Sequence, residues 1–132
     1  GRFLITLNGI ARFKIRNEFP LLLGYRRAEV DWHSFKSDVR ANDGTGSVID
    51  RPRLVGVLRQ YFEARQIHVK WEEIEQAPDA QLVASLAMQC PFTLEEKQAL
   101  LEAPRLADRA ELIASLLTMA LAADLSVSAT RH

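Results

Sequence analysis

Three groups of residues have the types and spacing that reaction chemistry would need. His33-Ser34-Phe35-Lys36 sets a hydroxyl two residues from an amine, and a serine–lysine pair can act as nucleophile and base. Cys90 is the chain's single thiol, next to Pro91. Gly44-Thr45-Gly46-Ser47 is rich enough in glycine to suggest a phosphate cradle. Each falls short of its chemistry. Ser34 and Lys36 lie at a strand end with no peptidase motif around them, and read as surface residues. A thiol is reactive by virtue of its surroundings, and Cys90 between a helix end and a proline reads as a small buried hydrophobe. No Gly-Lys-Ser/Thr follows Gly46, so the phosphate-loop signature is missing. His33, His68 and His132 are far apart, whereas zinc ligands come paired at short spacing. The residues therefore predict no catalytic group, no metal and no cofactor.

Binding surfaces are easier to find. Arg12, Lys14 and Arg16 alternate along one strand face, with Arg26 and Arg27 on a neighbouring segment. They form a candidate site for an anion or nucleic acid. The face lacks the interleaved aromatics of a base-stacking sheet, so a solvated hairpin face is the favoured reading. Glu72, Glu73 and Glu75 beside Trp71 read as a solvated helix face in the same way.

Composition fits a soluble globular protein. The chain has 132 residues, 48% of them hydrophobic and 26% charged, with 17 basic and 17 acidic side chains. The balanced charge excludes strong non-specific attraction to nucleic acid. One cysteine cannot form an internal disulfide, which suits a reducing compartment. No apolar run is long enough for a membrane span, and no signal peptide is recognisable. The chain opens without Met inside a strand-like segment, which predicts a piece of a longer protein.

The elements that must position these residues follow from periodicity. Residues 3–8 and 10–17 alternate apolar and polar about Asn8-Gly9, a two-residue turn signal, and predict a β-hairpin. Residues 18–24, with Pro20, read as a connection, and residues 25–32 as a third strand. Residues 36–49 contain Asn42-Asp43-Gly44 and no apolar period, and read as a linker. Asp50 and Pro52 start a helix bearing Leu54, Val55, Leu58, Tyr61 and Phe62 and ending near Gln66. A short turn over 71–76 and a helix from Asp79 with Leu82, Val83, Leu86 and Met88 come next. Thr93 and Glu96 then form a capping box, opening a helix that carries Leu94, Leu100 and Leu101 and stops before Pro104. Residues 106–124 form the last helix, stepping through Leu106, Ala110, Ile113, Leu117 and Ala120, and residues 126–132 a frayed tail. Residues 1–50 carry net +2 and the remainder net −2, too small an asymmetry to name a partner. The predicted class is α+β: a hairpin or three-strand sheet followed by a bundle of four to five helices.

Phe92-Thr93-x-Glu95-Glu96-Lys97-Gln98-x-Leu100-Leu101-Glu102, followed by Arg109 and a leucine-rich helix, resembles the helical part of the N-terminal substrate-binding domain of the ATP-dependent protease Lon. It is most similar to small proteins that consist of that domain alone. Residues 2–17 resemble the closing strands of that domain's PUA-like β part, with the family's earlier strands absent before Gly1. The resemblance implies a β subdomain over 1–35, a linker over 36–49 and a helical subdomain over 50–125. It implies a non-enzymatic module that binds unfolded or degradation-prone polypeptides in a bacterial cytoplasm. A protease or ATPase partner is a further expectation, as is self-association through a sheet edge or the C-terminal helix. Exposed apolar residues at the junction, Tyr25, Trp32, Phe35 and Trp71, are the expected contacts. Membrane binding is not expected, and nucleic-acid binding is the alternative.

Overall fold

The computed structural model describes residues 3–7, 9–40 and 48–129, without the side chains of Ser37, Arg40 and residues 125–129. The chain divides into two compact units, residues 1–46 and 47–132. The linker signal Asn42-Asp43-Gly44 and the glycine-rich Gly44-Thr45-Gly46-Ser47 lie outside the described residues, as does His132.

In the first unit the described sheet has two antiparallel strands, β1 (Lys14–Leu22) and β2 (Tyr25–Asp31). The hairpin therefore lies later in the chain than the alternation predicts. Residues 3–7 form no strand, and Asn8 of the expected turn lies outside the described residues. The turn is made instead by Leu23 and Gly24, with φ of 51° and 83°. Two successive positive φ values give the turn whose twist matches paired strands. Gly24 adopts that conformation freely, whereas Leu23 does so against its own preference. That is why the sequence signal there is weaker than Asn-Gly. Pro20, expected to break the strand, sits inside β1. The register slips between Phe19 and Leu22, so the proline falls where the ladder is already irregular and its missing N–H costs little.

A single 3-10 turn (His33–Phe35) and a short helix α1 (Lys36–Arg40) follow, where the sequence suggested the start of a linker. Asp31 starts the turn by accepting a hydrogen bond from the His33 N–H at 2.8 Å.

The second unit is helical: α2 (Arg51–Ala64), α3 (Trp71–Gln76), α4 (Asp79–Gln89), α5 (Leu94–Glu102) and α6 (Leu106–Ala129). With the hairpin this makes the chain α+β. The starts of α2 and α5 have a clear chemical cause. The Asp50 carboxylate accepts from the Arg53 N–H at 3.1 Å, with Pro52 in the first turn of α2. Both bonds of the capping box are made: Glu96 N–H to the Thr93 hydroxyl at 3.2 Å, and Thr93 N–H to the Glu96 carboxylate at 2.8 Å. The end of α2 is closed without glycine. Gln66 takes φ of 55°, while the N–H groups of Gln66 and Ile67 bond back to the carbonyls of Glu63 and Phe62.

The core of this unit gathers Leu54, Leu58 and Tyr61 of α2, Leu82, Val83 and Leu86 of α4, and Leu100 of α5 around Ala110, Ile113, Ala114, Leu116 and Leu117 of α6. The wide apolar stripe of α6 is thus largely spent on its own bundle, since α6 packs against α2, α4 and α5. The α5 stripe differs from expectation. Only Leu100 is buried, while Leu94 and Leu101 stand in solvent. A nine-residue helix packed along one side of the bundle has room for a single buried row.

Arg51 ties three helices together. Its guanidinium pairs with Asp79 at the start of α4, and donates to the carbonyls of Ile74, Glu75 and Ala77 at the end of α3, at 2.8–2.9 Å. Those carbonyls lack partners within α3, and a cation at a helix C-terminus also favours the dipole. Arg51→Ala is expected to destabilise the chain to urea by about 2–3 kcal/mol, and Arg51→Lys by nearly as much, because an ammonium cannot reproduce the fork. A loss below about 0.5 kcal/mol would show that the clamp is only a surface ion pair.

Candidate functional site

The residues singled out from sequence separate on the fold. Tyr25 is exposed beside the hairpin turn, paired in register with Leu22. Trp71 belongs to the helical unit and is engaged in packing. Its ring stands 6.0 Å from that of Phe62, and the Arg59 guanidinium lies 4.3 Å from its centre. Arg59 in turn holds Glu75 at 2.7 Å and Lys70 pairs with Glu73 at 2.8 Å, so two of the three acidic residues beside Trp71 are ion-pair partners.

Trp32 and Phe35 do come together. With Ala11, Lys36 and Val39 they line a hollow of about 310 Å³ in the first unit. The 3-10 turn accounts for this. The Phe35 N–H bonds to the Trp32 carbonyl at 3.0 Å, which folds the two rings onto one side of the chain. Trp32 is 51% exposed and forms a wall, steadied by the Phe13 ring 5.2 Å away. Phe35 is 5% exposed and forms the floor.

The floor is held by an ion pair whose arginine, Arg12, the strand alternation places on a wet face. Arg12 is 12% exposed and Asp38 13%. The Arg12 guanidinium grips both Asp38 carboxylate oxygens at 2.7 Å, its backbone N–H adds a bond at 3.0 Å, and its Cζ lies 4.4 Å from the centre of the Phe35 ring. A bidentate pair of this kind fixes geometry as well as contributing energy. It also consumes the charge of Arg12.

The remaining cations of the proposed anion face are largely engaged as well. Arg16 pairs with Asp31 at 2.7 Å, and Arg26 pairs with Glu18. Arg27 stands 5.8 Å from the centre of the Phe19 ring. Lys14 opens β1 opposite Asp31 in the register. The Arg16 hydrogen bond, with that from the His33 N–H, holds the Asp31 carboxyl below the ordinary carboxylate range. In α6 the Arg105 hydrogen bonds do the same to Asp108.

The candidate reactive groups gain no machinery. Cys90 is buried at the end of α4, and desolvation pushes its thiol up. Ser34 and Lys36 are both exposed, and no hydrogen bond among the described residues joins them. His33 and His68 are exposed. No cluster of metal-ligating side chains occurs among the described residues, and no helix among them is long and apolar enough to cross a membrane.

What the site has is shape, apolar lining and ion-paired support, which are the means of binding rather than of bond-making. The comparison with known families agrees. The chain matches the model of the ATP-dependent protease La (LON) substrate-binding domain over residues 1–119. The chain belongs to the Lon substrate-binding domain family. Neither the curated proteins nor the solved structures gave a match. In Lon this domain is a non-catalytic one, and membership gives the chain a substrate-binding role. The Lon resemblance read from residues 92–102 thus holds over most of the chain.

Ala11, Lys36 and Val39 escaped the sequence reading as lining residues. A signal was present: Trp32, Phe35 and Val39 are spaced three and four apart, a helical stripe crossing the expected linker.

The double use of Asp31 is open to test. Its folded pKa is depressed, so the bonds to Arg16 and His33 are intact at neutral pH and lost as pH falls through that folded value. The His33 amide proton should titrate with a midpoint below the ordinary aspartate value of about 3.9. The titration should vanish in Asp31→Asn. A midpoint at or above the ordinary value would reject the arrangement.

Proposed function

We propose that this Lon-family domain is a non-enzymatic receptor that holds unfolded or degradation-prone polypeptides on the apolar surface of its first unit. One observation carries the reading: the apolar side chains of the hairpin and the following turn stand in solvent. Phe19 is 45% exposed, Ile15 58%, Leu21 68% and Tyr25 72%. Trp32 is half exposed as well, and exposed apolar side chains recurring along one short hairpin suit an interaction site. An extended client can bury its own side chains there, and the outer edges of β1 and β2 offer backbone groups to a third strand. Trp71, packed between Arg59 and Phe62, is left out of this surface.

The internal pairing of Arg12, Arg16 and Arg26 favours protein over nucleic acid, because charges already matched release few counterions on binding. A protease or ATPase acting on the held chain, in the cytoplasm, follows from the same reading.

Fluorescence anisotropy tests it. The protein is titrated into a labelled, permanently unfolded polypeptide and into a labelled RNA, each at low and high salt. Saturable binding to the polypeptide is expected, changing less than about threefold between the two salts, because apolar burial is insensitive to screening. Binding only to RNA, weakening steeply with salt, would overturn the reading and restore the basic residues of the hairpin as the site.

A further inference from the structure

The hollow at Trp32 carries a charge pattern that general apolar binding does not require. Four of its five lining residues, Ala11, Trp32, Phe35 and Val39, are apolar, and the fifth is Lys36. Two other cations of the first unit are occupied: Arg12 by Asp38 and Arg16 by Asp31. Lys36 is exposed, and no carboxylate among the described residues pairs with it. An unmatched ammonium on the rim of an apolar hollow makes one partner chemistry complementary: a large apolar side chain with a carboxylate close by.

We propose that this hollow is a side-chain socket for an extended client segment in which a large apolar residue is flanked by an aspartate or glutamate. The inference rests on the receptor reading above and gives its site a preference. About 310 Å³ accepts one large side chain and excludes a folded element. The socket is formed before the client arrives. The Phe13 ring steadies the Trp32 wall, and the locked Arg12–Asp38 pair supports the Phe35 floor. A client therefore does not have to order it, which removes part of the usual cost of binding. The rim is open, since Trp32 is 51% and Val39 61% exposed. A chain can run across the hollow without ending in it. That favours an acidic side chain within a segment over a terminal carboxylate as the partner of Lys36. The lysine contributes selection more than affinity: it attracts the acidic flank and repels a basic one.

The experiment uses the full chain and four labelled peptides of one extended, structureless background. One has a central Leu flanked by Glu, and one has the same Leu flanked by Lys. One replaces the Leu by Ser and keeps Glu. The last ends in Leu with a free carboxylate and has no acidic side chain. Anisotropy at low salt is expected to rank Leu–Glu about tenfold tighter than Leu–Lys, with the Ser peptide weakest and the terminal carboxylate peptide below Leu–Glu. Lys36→Glu should invert the flank preference while the requirement for Leu persists. Trp32→Ala should weaken both Leu peptides about tenfold, with circular dichroism unchanged. A gain of function towards the Leu–Lys peptide cannot come from misfolding. If the wild type binds both Leu peptides and neither substitution alters the order, the socket is wrong and the receptor reading stands. Tightest binding of the terminal carboxylate peptide would overturn the internal acidic flank as the preferred client. If no peptide binds and the unfolded polypeptide does not either, both fall.

Discussion

The helical unit depends on the burial of one face of α6. Ile113 and Leu117 are essentially inaccessible, and Ala110 and Ala114 between them are small enough to let α2 come close. Side chains on α2, α4 and α5 reach the same stripe, so removing α6 would leave none of these three helices with a core of its own. Fully burying a single leucine contributes about 1.5–3 kcal/mol, and this stripe is the one surface all three helices share. The Arg51 clamp works within that constraint. It does not create the core. It satisfies the last carbonyls of α3 and thereby sets where α3 ends and α4 begins.

The first unit is built on the opposite principle. Every residue of β1 is exposed, and β2 is covered only near its end. A two-stranded sheet has too little apolar area to hold itself by burial. Geometry here comes from polar and ring contacts instead: Arg16 with Asp31, Arg12 with Asp38, Trp32 on Phe13. Exposed pairs such as Arg16–Asp31 contribute little energy. The Arg12–Asp38 pair, nine-tenths shielded and bidentate, is the one that fixes where Phe35 sits.

This contrast explains what was legible in the sequence. The helical half was largely legible, although α6 runs on to Ala129, past the tail expected from residue 126. Caps are local chemistry, as with Asp50 on Arg53 and Thr93 on Glu96, and the apolar spacing of α2, α4 and α6 coincides with their burial. The exceptions are Met88 of α4 and Leu94 and Leu101 of α5, which have the right period but stand in solvent. The hairpin half was less legible, because strand pairing is non-local. Alternation over residues 3–17 resembles a hairpin as well as the segment that forms one. Nothing local announces that Leu23 will accept a positive φ, or that Pro20 will fall on a register slip. Arg12 is the sharpest case. It alternates with Lys14 and Arg16 as a solvated charge would, and only a partner 26 residues away turns it into a part-buried support.

The same contrast bears on binding. In the helical unit most apolar side chains of the stripes are spent on the core, and Trp71, a large aromatic that would suit a contact, is already held between Phe62 and Arg59. In the first unit ion pairs and turn bonds set the geometry, so its apolar side chains are not committed to a core. Trp32 can stand half in solvent without loosening the turn that carries it, because that turn is held by Asp31 and by the backbone bond from Phe35. Exposed apolar surface normally invites aggregation. Here charged residues interrupt it along both strands, with Arg16 and Glu18 on β1 and Arg26, Arg27 and Glu29 on β2. Such charges discourage edge-to-edge pairing of identical chains. They leave single apolar side chains accessible between the charges, such as Ile15 and Phe19 on β1.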